Sequence, residues 1–236
     1  MSIKAVLFDL DGTLLPMDQD IFVKAYFKGL SAKLMPYGYE PDQLIKAVWG
    51  GTEAMIKNNG QKTNEQEFWD YFCSIYGEKA RAHEPIFEEF YKNEFQKVQQ
   101  VCGKDGNSYK VVHKLREKGI PVVLATNPIF PAIATESRIK WAGLDPQDFE
   151  FYTTYENIGY SKPNPEYYIE ILNRLGIEPQ ECLMVGNDVG DDMVAEKLGM
   201  NVFLLTDNLI NKKEMDISVF PNGNFEDLFK FIDNLI

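Results

Sequence analysis

With 236 residues, the chain is long enough for one large domain or two modest ones and can bury a sizeable core. Its apolar fraction of 44% and charged fraction of 25% are those of an ordinary globular protein, and a net charge of −12 argues against nucleic acid or an anionic membrane surface as partner. No segment approaches the length of a membrane span and no basic region leads into an apolar signal core; with three scattered cysteines (Cys73, Cys102, Cys182) lacking metal-ligand spacing, a cytoplasmic protein with reduced thiols is expected.

The first element is predicted from Ile3 to Phe8, an apolar, β-branched run suited to a buried strand. It ends in Asp9 and Asp11, with Gly12 and Thr13 following. A buried strand that finishes in two like charges needs compensation, because uncompensated buried charge is costly. A divalent cation supplies it, and hard carboxylate oxygens suit Mg²⁺, which leaves positions open for a phosphate. From Met17 to about Gly103 the pattern turns helical and rich in aromatics, with helices expected near 18–35, 41–57, 64–76 and 85–101. Asp42 or Asn64 is a candidate cap. The stripe Phe87, Phe90, Tyr91, Phe95 has helical spacing and reads as core. Trp49-Gly50-Gly51-Thr52 reads as a turn whose glycines let the backbone approach a substrate closely.

From Asn107 helices and strands alternate. A helix over 108–118 stops at Gly119, and a strand over 120–125 ends at Thr126-Asn127-Pro128. A helix near 129–142 stops at Gly143, and a weak strand near 149–153 follows. Asn164 is the expected N-cap of a helix opened by Pro165 and running to Leu175. Next come a strand over 182–185, a helix over 188–198 stopped by Gly199, a last clear strand over 201–205 and a closing helix over 225–235. Such alternation implies an α/β fold: a parallel, Rossmann-like sheet with helices on both faces. The helical insert has no strand partner in it. Residues 1–16 and 104–236 are therefore expected to form the core, and 17–103 a separate all-helical lobe above the sheet.

In a parallel sheet, ligands bind outside the carboxyl ends of the strands. Four such places carry polar groups: Asp9 with Asp11; Thr126 with Asn127; Lys162; and Asn187, Asp188, Asp191 and Asp192. Each alone has an ordinary reading: a helix cap, a solvated lysine, the acidic first turn of a helix. Together, in this order, they point to one site.

These stretches resemble the haloacid dehalogenase-like hydrolase superfamily, most of whose enzymes transfer phosphoryl groups. The matching motifs are FDLDGT at 8–13, LATN at 124–127, SKPNPE at 161–166 and VGNDVGDDMVAEKLGM at 185–200. The insert is similar to the cap that covers the site in one large branch. One departure stands out: where the family usually has Gly-Asp, this chain has Gly186-Asn187, with the acid displaced to Asp188.

The resemblance implies a Mg²⁺-dependent phosphatase acting on a small phosphorylated metabolite through an aspartyl-phosphate. Asp9 is then the nucleophile and Asp11 the general acid and base. Thr126, Asn127 and Lys162 would bind the phosphoryl oxygens, and Trp49 and Thr52 on the insert would contact the rest of the substrate. Asp9, the Asp11 backbone carbonyl and the side chain of Asn187 or Asp188 would hold Mg²⁺, Asn187 being the favoured ligand. Asp191 would orient Lys162 or a metal-bound water. His83 and His113 have no role. A phosphosugar mutase shares all of this machinery. A haloacid dehalogenase needs no Asp11, and a receiver-type signalling domain has neither a large cap nor a second acid. Oligomeric state is left open.

Overall fold

The computed structural model describes residues 3–235. Five parallel strands stand in the order β2-β1-β3-β4-β5: β1 Ala5–Phe8, β2 Val122–Leu124, β3 Cys182–Gly186, β4 Asn201–Leu205 and β5 Asn222–Gly223. The α/β reading holds, with a fifth, two-residue strand that has no apolar pattern to announce it. The expected strand near 149–153 is reduced to one bridge, Tyr152 beside Leu124, at the free edge of β2. In β1 to β4 alternate side chains enter opposite layers, as a period of two requires. Val6, Phe8, Val122, Leu124, Val185 and Phe203 face α5 (Gly106–Glu117) and α8 (Phe225–Leu235). Ala5, Leu7, Val123, Met184 and Val202 face α7 (Pro165–Leu175) and the short 3₁₀ helix Met193–Leu198. Both faces are covered, so the strands read as unbroken apolar runs.

Between β1 and α5 lie α1 (Gln19–Leu34), α2 (Pro41–Ile56), α3 (Asn64–Tyr76) and α4 (Glu84–Lys92). Asp18 caps α1, its side chain accepting from the Ile21 N–H at 3.0 Å. Pro41 opens α2, so Asp42 lies inside the first turn and caps nothing. Thr63, not Asn64, caps α3, in a reciprocal capping box with Gln66. Asn64 is instead fully buried and donates to Pro128 O and Ser161 Oγ, at 3.1 and 3.0 Å, tying α3 to the loops after β2 and before α7. The helix expected over 85–101 breaks at Asn93, and its second half is the 3₁₀ helix Glu94–Val101. α6 (Ala132–Trp141) begins three residues later than expected, because 129–131 belong to the loop that leaves β2. Residues 49–52 form no turn: they are helical, within α2. A Cβ on Gly50 would come 2.2 Å from Tyr71, and one on Gly51 would come 2.6 Å from Phe68. These two glycines let α2 and α3 pack closely, which is a different use from the substrate approach expected of them.

Candidate active site

The carboxyl ends of β1, β2 and β3 open onto a cavity of about 300 Å³ beneath α1 to α4. The Asp9 N–H still pairs with Val185 O, at 2.9 Å, so the first aspartate is held in the sheet's own ladder. The chain then folds back in a tight loop: Leu15 N–H donates to Leu10 O and Gly12 N–H to Leu15 O, both at 2.8 Å. Gly12 has φ +89°, and a Cβ there would come 2.3 Å from Asn187 Nδ2. Only glycine fits that conformation and that approach.

Lys162 lies 153 residues from Asp9 in sequence and is buried against it. Its ammonium donates to Asp9 Oδ1 at 2.9 Å and to Asp192 Oδ1 at 2.6 Å. The residue that orients Lys162 is therefore Asp192, which corrects that part of the expectation for Asp191. The cause is the turn at 188–192. Asp188 Oδ1 accepts from the N–H groups of Gly190 and Asp191, at 2.7 and 3.1 Å, and the predicted helix starts only at Met193. This turn aims Asp192 inward and leaves Asp191 facing the cavity, where its Oδ2 accepts from Asn127 Nδ2 at 3.4 Å. Burial opposes the charge on Lys162, but Asp192 and Asp9 outweigh it and hold the ammonium well above the ordinary lysine range. Burial pushes the Asp192 carboxyl up to about 7, with Lys162 opposing and Asp9 adding to the rise.

Asp11 is turned away from Lys162. Its Oδ2 pairs with the guanidinium of Arg138, while its Oδ1 is buried without a partner. Burial raises the Asp11 carboxyl above its ordinary value, Arg138 opposes, and Asp9 adds. Arg138 is itself fully buried, bonded to Ala134 O and Thr135 Oγ1, both at 3.3 Å, and packed 4.4 Å from the centre of the Phe130 ring.

Thr126 is buried at the end of β2 and lines the cavity beside Asn127. Its carbonyl is held by Thr153 Oγ1 at 2.7 Å and Tyr167 Oη at 2.8 Å. Asn187 is buried and spans two loops: its Oδ1 accepts from Thr13 Oγ1 at 3.0 Å, and its Nδ2 donates to Asn208 O at 2.6 Å. Trp49 is half exposed at the cavity wall, and Thr52 lines it too, although the Thr52 hydroxyl is spent on Val48 O at 2.9 Å. Phe87 and Tyr91, expected to be core, also line this cavity; Phe90 and Phe95 are core alone. His83 bonds Tyr39 and His113 packs on Tyr109, both away from the cavity.

The donor set suits a hard divalent cation. Asp9, Asp11, Asp188, Asp191 and Asp192 line one end of the cavity, where Lys162 and Lys212 are the lysines present. Two buried acceptors there, Asp11 Oδ1 and Asn127 Oδ1, have no partner. Among the described residues no three Asp, Glu, His or Cys side chains form a ready-made cage. A cation held by one or two carboxylates, backbone or amide oxygens, water and phosphate fits that arrangement, and this is how Mg²⁺ is usually bound.

Residues 3–199 match the haloacid dehalogenase-like hydrolase family model. The chain belongs to that family. The phosphoglycolate phosphatase of Aquifex aeolicus (strain VF5) is 25% identical over 236 residues, covering 99% of this chain and 98% of the relative. The pyrophosphatase PpaX of Bacillus cereus (strain AH820) is 24% identical over 199 residues, 84% of this chain and 81% of the relative. Among solved structures, an HAD phosphatase from Thermococcus onnurineus has the same fold, with a TM-score of 0.63, 19% identity and 98% of each chain covered. So does the HAD-hydrolase YfnB of Bacillus subtilis, described as bound to magnesium, with a TM-score of 0.59, 18% identity, 99% of this chain and 100% of that one.

In this haloacid dehalogenase-like hydrolase, three polar side chains at the site escaped the sequence reading. Asp192 was grouped with the acidic run but given no role. Arg138 was missed although a signal existed: it shares the buried face of α6 with Ala134, Thr135 and Ile139, and a charge on an apolar stripe needs a partner. Asn64 is, in the sequence, one of two candidate caps. No pattern in the sequence distinguishes a cap from an asparagine that bonds across to another loop.

Proposed function

We propose that the chain is a Mg²⁺-dependent phosphatase working through an aspartyl-phosphate, with residues 17–103 serving as the cap over its site. The observation that carries this reading is the buried Lys162 ammonium shared by Asp9 and Asp192, with a second acid two residues after Asp9.

Asp9 attacks phosphorus in line, forming the Oδ–P bond as the bond from phosphorus to the leaving oxygen breaks. Asp11 gives its proton to that oxygen. A water then attacks the phosphoenzyme, Asp11 takes the water's proton, and phosphate leaves with the Asp9 carboxylate restored. Lys162, Thr126 and Asn127 bind the phosphoryl oxygens, the first neutralising charge that grows in the transition state. Asp192 keeps Lys162 aimed and charged. Asp9, the Asp11 carbonyl and an oxygen of Asn187 or Asp188 would hold Mg²⁺, with Asp191 close by to orient a water. The metal would supply charge neutralisation between nucleophile and phosphate. Arg138 holds Asp11 by Oδ2, leaving Oδ1 free to carry the proton.

The test measures phosphate release and phosphoenzyme labelling, with Mg²⁺ and with chelator. Asp9→Asn should lose turnover and labelling together. Asp11→Asn should still label with an ester whose leaving group is good. Turnover near wild type in Asp9→Asn would show that the nucleophile is another residue.

A further inference from the structure

The two ends of the cavity differ in kind. All five carboxylates, Lys162 and Lys212 are contributed by the sheet side. The residues that α1 to α4 contribute include no lysine, arginine or histidine. Their wall is built of rings and branched chains, among them Phe22, Tyr26, Phe68, Trp69, Phe87 and Tyr91. Its three hydroxyls are committed, while the Gln19 amide stands at the exposed edge of the wall. The Thr52 hydroxyl bonds Val48 O, and the hydroxyls of Tyr26 and Tyr91 bond each other at 3.0 Å. The buried Trp69 indole N–H has no acceptor.

Behind this wall lies a second crevice, which shares Trp69, Phe87, Tyr91 and Tyr155 and adds Glu65, Glu84, Glu88 and Glu156. The guanidinium of Arg81 lies 4.8 Å from the centre of the Trp69 ring but is already paired with Glu65 and Glu84, at 2.9 and 3.2 Å, so a second anionic group on the substrate would lie against apolar rings and meet a cation whose charge is spent. Burying such a charge is strongly unfavourable. A sugar would leave several hydroxyls unpaired against the same rings, which is also costly.

We infer that the substrate is the phosphate monoester of an alcohol with an uncharged, planar apolar body, which stacks on the aromatic wall and carries at most one or two polar atoms, for Trp69 or Gln19. This rests on the phosphatase reading and narrows it. It also sets the chain apart from relatives named for phosphoglycolate and pyrophosphate, both of which carry a second anionic group.

The experiment compares kcat/KM, with Mg²⁺ present, for 2-naphthylmethyl phosphate, phosphoglycolate, pyrophosphate and glucose 6-phosphate. The first, second and last leave as alkyl alcohols, so recognition rather than leaving-group reactivity decides among them. Burying the naphthyl group should favour its ester by about a hundredfold over phosphoglycolate. Val23→Arg or Ile56→Arg places a cation at a lining position that is half-buried or exposed in the wild type. Either variant should shrink that ratio about tenfold, by weakening the aromatic ester and helping phosphoglycolate, whose carboxylate is the second anionic group. Two variants are used so that misfolding of either leaves the other to decide. Equal efficiencies, or a preference for phosphoglycolate, pyrophosphate or the sugar phosphate, would overturn this inference and leave the phosphatase reading standing. If none of the esters is hydrolysed, including 4-nitrophenyl phosphate as an activated control, the phosphatase reading fails and takes the inference with it.

Discussion

Asn187→Asp restores the carboxylate usual in the family, and the structure says what that costs. The wild-type amide is buried and uses both ends: Oδ1 accepts from Thr13 and Nδ2 donates to Asn208 O at 2.6 Å. An aspartate keeps the first bond. At the second it sets an anionic oxygen against a carbonyl oxygen, so a donor is lost and a buried acceptor is left unpaired. A lost bond of about 1 kcal/mol plus an orphaned group of about 1–3 kcal/mol gives roughly 3 kcal/mol, before repulsion from the neighbouring aspartates is counted. At about 2–4 °C per kcal/mol for a chain of this size, the melting temperature in chelator should fall by about 6–12 °C. Mg²⁺ should recover much of this, since saturation at about 100 times Kd stabilises by about 2.7 kcal/mol. The variant should also bind Mg²⁺ more tightly than wild type, having one more charge at the site. Calorimetric scans of both proteins, with chelator and with a Mg²⁺ series, read all of these effects. A variant as stable as wild type in chelator would refute the reasoning, because it would mean that the amide does not hold the loop carrying Asn208.

Three further outcomes can be measured. Asp192→Asn leaves one acceptor where two donors converge, Lys162 Nζ and the Asp188 N–H; kcat should fall at least about tenfold, or about 1.4 kcal/mol of barrier, and an unchanged kcat would remove Asp192 from the machinery. The folded-state carboxyl of Asp192 lies above its ordinary value of 3.8, at about 7, so its protonation stabilises the fold. That contribution is complete below the ordinary carboxylate range and lost as pH rises through about 7. Metal-free protein should accordingly melt lower at about pH 8 than at about pH 6, and Asp192→Asn should flatten the step; identical slopes would contradict this. Gly51→Val forces atoms into the space of Phe68, which should cost about 1–3 kcal/mol in denaturant unfolding and shift KM for bulky esters, whereas a turn at 49–52 would tolerate the change.

Much of the fold was legible because its signals are local. A run such as Cys182–Gly186, short and apolar on both faces, suits a buried strand of a parallel sheet. Asn164-Pro165 opens α7 by the chemistry of those two residues alone. Asp9 and Asp11 were legible for a similar reason: a strand ending in two acids announces a need for compensation in the chain itself. Helix ends were less so. Asn93 breaks the fourth helix and Thr63 takes the cap from Asn64, because packing chooses between neighbouring residues of near-equal propensity. Chain order alone did not decide which aspartate reaches Lys162. Asp191 and Asp192 are adjacent, and one turn at Asp188 sends one inward and the other to Asn127. Nor could it pair Asp11 with Arg138, 127 residues away, or seat Asn64 on Ser161. The sequence by itself determined β1 to β4, most helices and the cluster of polar groups at the strand ends, since propensity, periodicity and motif spacing act over a few residues. Only the tertiary structure decided which partner each buried charge takes and that α1 to α4 contribute no lysine, arginine or histidine to the cavity lining, because those facts depend on side chains brought together from distant parts of the chain.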